Sequence, residues 1–187
     1  MSKDGFEYYC ADDFLNSKEI EEINHTLISN TTTKSVDRYD LGSTKTCKVY
    51  SIPYSNVKNS LIRIKEAIDE VNKKSFGFDL YDFDQEPQKM INLNDYSGSN
   101  MAEYSWHRDV SNNANYDMKI TTIINLSTEE YEGGNFELFI GENKHIVELD
   151  KPGSIICFHS WIYHRVTPVV KGIRRSLAIW SNGPLLR

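Results

Sequence analysis

The run Trp106-His107-Arg108-Asp109 holds an imidazole and a carboxylate two residues apart. In an extended strand, residues i and i+2 project from the same face, so both groups can point at one spot. With a second histidine beside them, two nitrogens and one oxygen would occupy one face of a metal and leave the other positions open. That donor set suits a divalent iron that has to take up further ligands. A lone H-x-D pair also occurs by chance at surface strand ends, so the case rests on its neighbours.

Four other histidines compete for the third place. His164 lies 55 residues beyond Asp109 and opens a later apolar run. His159 stands where the preceding run ends and reads as a rim residue, His145 follows a turn and reads as solvated, and His25 lies in a helical stretch. Ten residues after His164 comes Arg174, with Ser176 two further on and therefore on the same strand face, while Arg175 faces the other way. A guanidinium fork beside a hydroxyl is suited to gripping a carboxylate. Metal ligands and a carboxylate anchor on one inner face are what a chelating dicarboxylate needs.

The elements that must position these groups are legible in outline. Asn16 with Glu19 three residues later forms a capping box, and Ile20, Ile23 and Leu27 recur at helical spacing, which predicts a helix over Asp13–Ser29. Asn30–Ser35 reads as loop, and Cys47–Ile52 as a strand before Pro53. Val57, Leu61, Ile64, Ile68 and Val71 step by four, three, four and three, which predicts a second one-sided helix packed on a sheet.

After Phe76 the period changes. Eight short runs follow, over Lys89–Leu93, Ala102–Trp106, Lys119–Leu126, Asn135–Ile140, His145–Leu149, Ser154–Phe158, Tyr163–Val169 and Arg175–Trp180, separated by glycine- and asparagine-containing turns. Closely spaced strands without helices between them predict a mainly β fold, a double-stranded β-helix (jelly roll). The chain then reads as one domain over 1–187, with 1–75 a helical support region and 76–187 the jelly-roll core. In such a roll the second and seventh strands can be neighbours, which lets His164 face His107 and Asp109. Tyr104, Trp106, Ile124 and Trp180 are the expected inner wall.

Composition narrows the function classes. The 187 residues carry 21 basic and 27 acidic side chains, a net charge of −6, which argues against sequence-independent binding to nucleic acid or an anionic membrane. No apolar run is long enough to span a bilayer, and the first residues lack the apolar core of a signal peptide. Cys10, Cys47 and Cys157 are three widely spaced thiols with no C-x-x-C pair, as expected for a reduced, cytoplasmic protein.

From about Phe78 to Pro184 the chain resembles the prolyl-4-hydroxylase-like branch of the 2-oxoglutarate- and Fe(II)-dependent dioxygenases. The resemblance rests on Asn94-Asp95-Tyr96, Trp106-His107-Arg108-Asp109, Lys119–Ser127, Tyr131-Glu132-Gly133-Gly134-Asn135-Phe136-Glu137, Pro152–Phe158, His164–Val169 through Gly172 to Arg174 and Ser176, and Trp180–Pro184, in that order. It implies iron ligands His107, Asp109 and His164, with Arg174 on the distal carboxylate of 2-oxoglutarate and Tyr96 near the co-substrate. Where several relatives carry a tyrosine on the third strand, this chain has Asn125, and Ser176 is the candidate replacement.

The resemblance implies Fe(II), 2-oxoglutarate and O2, with ascorbate a candidate reductant. It also implies hydroxylation of an unactivated C–H bond on a peptidyl proline or a small amino-acid-like substrate. The polar stretches Thr31–Thr46 and Val110–Met118 are the expected determinants of that substrate. Two alternatives stand beside this reading. A nucleic-acid base demethylase of the same superfamily would call for a second arginine six residues after Arg174, where this chain has Trp180. A cupin-like metal-binding module without 2-oxoglutarate would have no use for Arg174 and Ser176 at this spacing.

Overall fold

A computed structural model describes residues 3–4, 7–40, 43–86, 88–110, 115–147 and 149–186. Helix α1 (Ser17–Ser29) starts at Asn16 with the expected capping box: the Asn16 side chain accepts from the Glu19 amide at 3.0 Å, and Glu19 accepts from the Asn16 amide at 2.9 Å. Such a cap satisfies two amides that the first helical turn leaves without partners. The second predicted helix is built in three pieces, α2 (Tyr54–Val57), a 3₁₀ turn over Lys58–Leu61 and α3 (Ile62–Val71). Its stripe of Val57, Leu61, Ile64, Ile68 and Val71 is buried throughout. A single π turn, Asn72–Phe76, ends it at Gly77, whose φ of +69° suits a residue without Cβ.

The strands are β1 (Lys3–Asp4), β2 (Tyr8–Ala11), β3 (Thr33–Asp40), β4 (Ser43–Pro53), β5 (Met90–Ser97), β6 (Tyr104–His107), β7 (Asp117–Asn125), β8 (Glu132–Gly133), β9 (Phe136–Ile140), β10 (Asn143–Val147), β11 (Ile155–His159), β12 (Tyr163–Val166), β13 (Val169–Lys171) and β14 (Ile173–Gly183). All eight predicted strands are present, as β5, β6, β7, β9, β10, β11, β12 and β14. The larger sheet runs β1-β2-β11-β7-β14-β5-β4, with β3 on β4; the path continues through a single pairing, Lys45 with Tyr104, into β6-β12-β9-β10. Every pairing is antiparallel, and the result is the expected jelly roll, a sheet rolled almost into a barrel. Strands β13 and β8 form a separate short ribbon.

Strand alternation divides the structure into two cores. Ile91 and Leu93 of β5, Ile120 and Ile124 of β7, Ile155 and Cys157 of β11, and Leu177 and Ile179 of β14 face the helices. Cys47, Val49, Tyr96, Phe136, Ile156, Phe158 and Val166 point into the roll. Asn24 adds a polar tie, donating to the Leu126 carbonyl at 2.9 Å.

Three expectations are corrected. The region before residue 76 is more than a helical support, because β2 extends the larger sheet on β11 and β4 pairs with both β5 and β6. The polar stretch Thr31–Thr46 is mostly the β3–β4 hairpin, with Thr33, Ser35, Ser43, Thr44 and Thr46 on strands in spite of a loop-like composition. In Val110–Met118, β7 already begins at Asp117, and 111–114 lie outside the described residues.

Candidate active site

His107, Asp109 and His164 converge inside the roll, with one ligand atom from each within 4.8 Å of the others. The cause is the pairing of β6 with β12, which sets His164 opposite His107. The next pairing, Val166 with Tyr104, moves two residues along β12 and three along β6, so β6 carries one extra residue. That bulge lets both Tyr104 and His107 turn inward, where strict alternation would separate them. The Tyr104 ring stacks on His107 at 3.4 Å between centroids. The bulge also corrects the inner wall: Trp106 points outward, edge-on to Phe139 and under the Arg165 guanidinium. Ile124 faces the helices, and its neighbour Ile123 lines the cavity instead.

Both imidazoles are oriented by their own backbone. His107 Nδ1 meets the Ser105 carbonyl at 2.7 Å, and His164 Nδ1 meets the Ile162 carbonyl at 2.9 Å. A carbonyl accepts, so Nδ1 must carry the proton, and Nε2 is left as a lone pair facing the cluster. The two Nε2 atoms lie 3.8 and 3.5 Å from the Asp109 oxygens. Burial, then the neighbouring His164, pushes His107 down to about 3, so it is neutral near pH 7. For Asp109, burial alone would raise the pKa, but His164 and His107 outweigh it and the carboxyl is held low. Thr121 Oγ1 donates to Asp109 at 2.8 Å, and the Trp180 indole lies against the same carboxylate without full hydrogen-bond geometry. Two imidazole nitrogens and an ionised carboxylate are a donor set that fits Fe(II).

Behind the cluster lies Arg174, among the largest fully buried side chains at 1 % exposure. Nε, Nη1 and Nη2 are all buried without a hydrogen-bond partner. A guanidinium stays charged in proteins, and burying it unpaired is costly, so the cavity is built for an anion that supplies the missing acceptors. Its carbon centre lies 5.5 Å from the Tyr96 ring, and Gly134, at φ +66°, makes room: a Cβ there would meet Arg174 Cδ at 2.8 Å. Ser176 and Tyr96 line the same cavity. Burial drives the Tyr96 phenol well above its usual range, so it remains a neutral hydroxyl.

Asn125 does not join them. Its amide nitrogen is spent on the Leu149 and Asp150 carbonyls and the Tyr131 hydroxyl, and its oxygen accepts from the Ser127 amide. Asn125 therefore ties loops together outside the cavity. Nor does His159, which is wedged among Phe76, Phe78 and Trp161; His145 and His25 are exposed. Lys45, Asn94 and Thr121 belong to the site and were not anticipated. Thr121 could have been found by stepping two residues back from Ile123 on the inner face, but nothing in the polar surroundings of Lys45 marks it.

Trp180 also walls a second, open cleft of about 630 Å³, lined by Ser51, Tyr81, Met90, Asn92, Tyr116 and Asn182 among others. The cleft thus borders the iron pocket across one indole.

Residues 91–182 match the family model described as the 2OG-Fe(II) oxygenase superfamily, and the chain belongs to that superfamily. Its cofactor and co-substrates are accordingly Fe(II), 2-oxoglutarate and O2, with the His–Asp–His cluster as the iron site. Among solved structures, a prolyl-4-hydroxylase from Pseudomonas putida is similar at TM-score 0.68 and 15 % identity, covering 96 % of this chain and 94 % of that one. A prolyl hydroxylase from Trichoplax adhaerens, in complex with a hypoxia inducible factor oxygen degradation domain peptide, is similar at TM-score 0.65 and 16 % identity, covering 94 % and 83 %. The α-ketoglutarate-dependent carbocyclase SnoK of nogalamycin biosynthesis reaches TM-score 0.69 at 10 % identity, covering 95 % and 79 %. At these identities the likeness establishes the fold, and it spans different reactions. No curated protein matches by sequence. No helix among the described residues is long and apolar enough to cross a membrane.

Proposed function

We propose that this protein hydroxylates an unactivated C–H bond of a peptidyl proline, with His107, Asp109 and His164 holding the iron and Arg174 holding the distal carboxylate of 2-oxoglutarate. The observation that carries it is the buried, partnerless Arg174 fork behind the His–Asp–His cluster. A metal-binding module without a dicarboxylate has no reason to bear that cost. When bound, the iron and its co-substrates supply the oxidising power and release succinate and CO2.

The chain's own work is positioning and exclusion of water. Ser105 and Ile162 carbonyls hold the imidazoles in one tautomer, Thr121 steadies Asp109, and Arg174 with Ser176 and Tyr96 fixes the far end of the co-substrate. Trp180 separates this pocket from the cleft, where Tyr81, Tyr116 and the amides of Asn92 and Asn182 suit a ring and a peptide backbone. The peptide-bound Trichoplax structure supports a peptide over a free amino acid. Three buried free thiols support a reducing compartment, which we read as cytoplasmic, and ascorbate is the proposed reductant.

The test is 2-oxoglutarate turnover with proline-containing peptides, free proline and small metabolites in parallel, with mass detection of one added oxygen. Oxygen on the peptide proline is expected. Oxygen on free amino acids alone would refute the peptidyl assignment, and succinate production with no iron dependence would refute the mechanism.

A further inference from the structure

Strands β6, β12, β9 and β10 turn a second face away from the iron, and register arranges its side chains in two rows. His164 lies opposite His107, Tyr163 opposite Phe139, and Phe139 opposite Lys144. Arg108, just past β6, therefore starts a row that continues through Tyr163 and Phe139 to Lys144. Trp106, Arg165, Glu137 and Ile146 form the row behind it. Phe139 and Tyr163 are each nearly half exposed, and Ile146 more so. The Arg108 guanidinium lies 4.9 Å from the centre of the Tyr163 ring, and that of Arg165 lies 4.9 Å from Trp106. An aromatic face holds a guanidinium flat and leaves its N–H edge for a carboxylate. Among the described residues Arg108 has no ion-pair partner. Three cations, Arg108, Arg165 and Lys144, share this face with one carboxylate, Glu137, which pairs with Arg165 and, at 3.2 Å, with Lys144. The face is thus positive in a chain whose net charge is −6.

We infer that this face docks an acidic flanking segment of the peptide substrate, with carboxylates on Arg108 and Lys144 and an apolar side chain between them on Tyr163 and Phe139. The inference rests on the peptide reading above. Arg108 stands between the ligands His107 and Asp109, so the row begins one residue from the iron site. Neighbouring strands lie about 4.8 Å apart, and three such gaps set the end cations about 14 Å from each other. An extended peptide advances about 3.4 Å per residue, and its residues i, i+2 and i+4 project from one face. Carboxylates at i and i+4 then span about 14 Å, with the i+2 side chain over the two rings. The recognised pattern is acid-x-apolar-x-acid. Exposed rings beside cations would also stack the bases of a nucleic acid. The overall negative charge of the chain repels a long polyanion, whereas a short acidic segment feels only charges within about 8–10 Å.

The probe is a fluorescein-labelled peptide, Gly-Asp-Ser-Phe-Ser-Asp-Gly, with a control that carries lysine in place of both aspartates. Fluorescence anisotropy follows binding to the native chain and to Lys144→Glu and Phe139→Ser proteins whose thermal melts show them folded. The native chain is expected to prefer the acidic peptide about tenfold or more, and each substitution to weaken it about tenfold. A proline-containing peptide extended by this segment, on one side or the other, should show a lower KM at unchanged kcat with the native chain and no such gain with Lys144→Glu. Equal binding of the two probes, or an affinity that Lys144→Glu leaves unchanged, would overturn the proposal. Tighter binding of an oligouridylate would overturn it too, as would sedimentation showing that this face joins two copies of the chain. Segment binding without a gain in KM on either side would remove the segment from the substrate. A face that binds the segment while no proline peptide is turned over would instead strike the peptidyl-proline assignment and leave the docking surface standing.

Discussion

Replacing Arg174 by methionine should make the metal-free protein more stable and its co-substrate binding much worse. Methionine is of similar length and carries no charge, so it fills the volume beside Tyr96 and Gly134 without leaving three buried N–H-bearing atoms unpartnered. Exchanging a buried, poorly compensated charge for a packed apolar side chain typically gains about 1–4 kcal/mol. For a domain of this size each kcal/mol raises Tm by about 2–4 °C. Under the proposed function the same change also removes a bidentate, charge-assisted pair to the co-substrate. Hydrogen bonds to charged groups contribute about 1.5–3 kcal/mol each, so two of them put the loss at about 3–6 kcal/mol, or 10²–10⁴-fold in affinity. Urea unfolding of the apo protein measures the first effect, and 2-oxoglutarate titration under anaerobic conditions measures the second. An apo protein that loses stability while keeping its affinity would refute the reasoning, since Arg174 would then have a structural partner and no ligand.

Thr121→Val removes the 2.8 Å hydrogen bond to Asp109 and should weaken metal binding about 10–100-fold with little change in fold, read by competition with a chromophoric chelator. Gly134→Ala forces a Cβ to 2.8 Å from both Arg174 Cδ and Val169 Cγ2 at a positive φ, and should cost about 1–3 kcal/mol of stability and several-fold in 2-oxoglutarate affinity. Cys157, its thiol pushed by burial up to about 12, should resist alkylation at pH 8 until the protein is unfolded. Because the His107 pKa is depressed to about 3, the unfolded chain binds the extra proton first as pH falls below about 6.5, so apo stability should drop from pH 7 to 5. His107→Leu should flatten that slope in urea titrations.

How much of this could be read from the sequence depends on how local the signal is. The capping box at Asn16 and the stripe from Val57 to Val71 are local patterns, and both appear as read. The order of eight strands was enough to bring His164 opposite His107, because antiparallel neighbours in a roll leave few alternatives. Arg174 and Ser176 followed from alternation along one strand. The β3–β4 hairpin was hidden by a composition of threonine, serine and lysine that resembles a loop, and only the open edge of β5 explains why it is ordered as strand. Strand periodicity puts Trp106 and Ile124 on the wrong faces for different reasons. The β6 bulge that turns Trp106 outward adds one residue no periodicity reveals, and β7 is buried on both faces with isoleucines at the adjacent positions 123 and 124, so alternation does not single out which one faces the cavity. Asn125 stands where a tyrosine was sought, and only the positions of the Leu149, Asp150 and Tyr131 oxygens show that its amide is already committed.

The central claim is that His107, Asp109 and His164 hold one iron to which 2-oxoglutarate chelates. Anaerobic addition of Fe(II) and then 2-oxoglutarate should produce a visible charge-transfer band that saturates at one iron per chain. The band should be absent in His164→Ala and Asp109→Ala proteins that melt as folded chains. A band unchanged in His164→Ala would contradict the account, because the iron would then be held somewhere else.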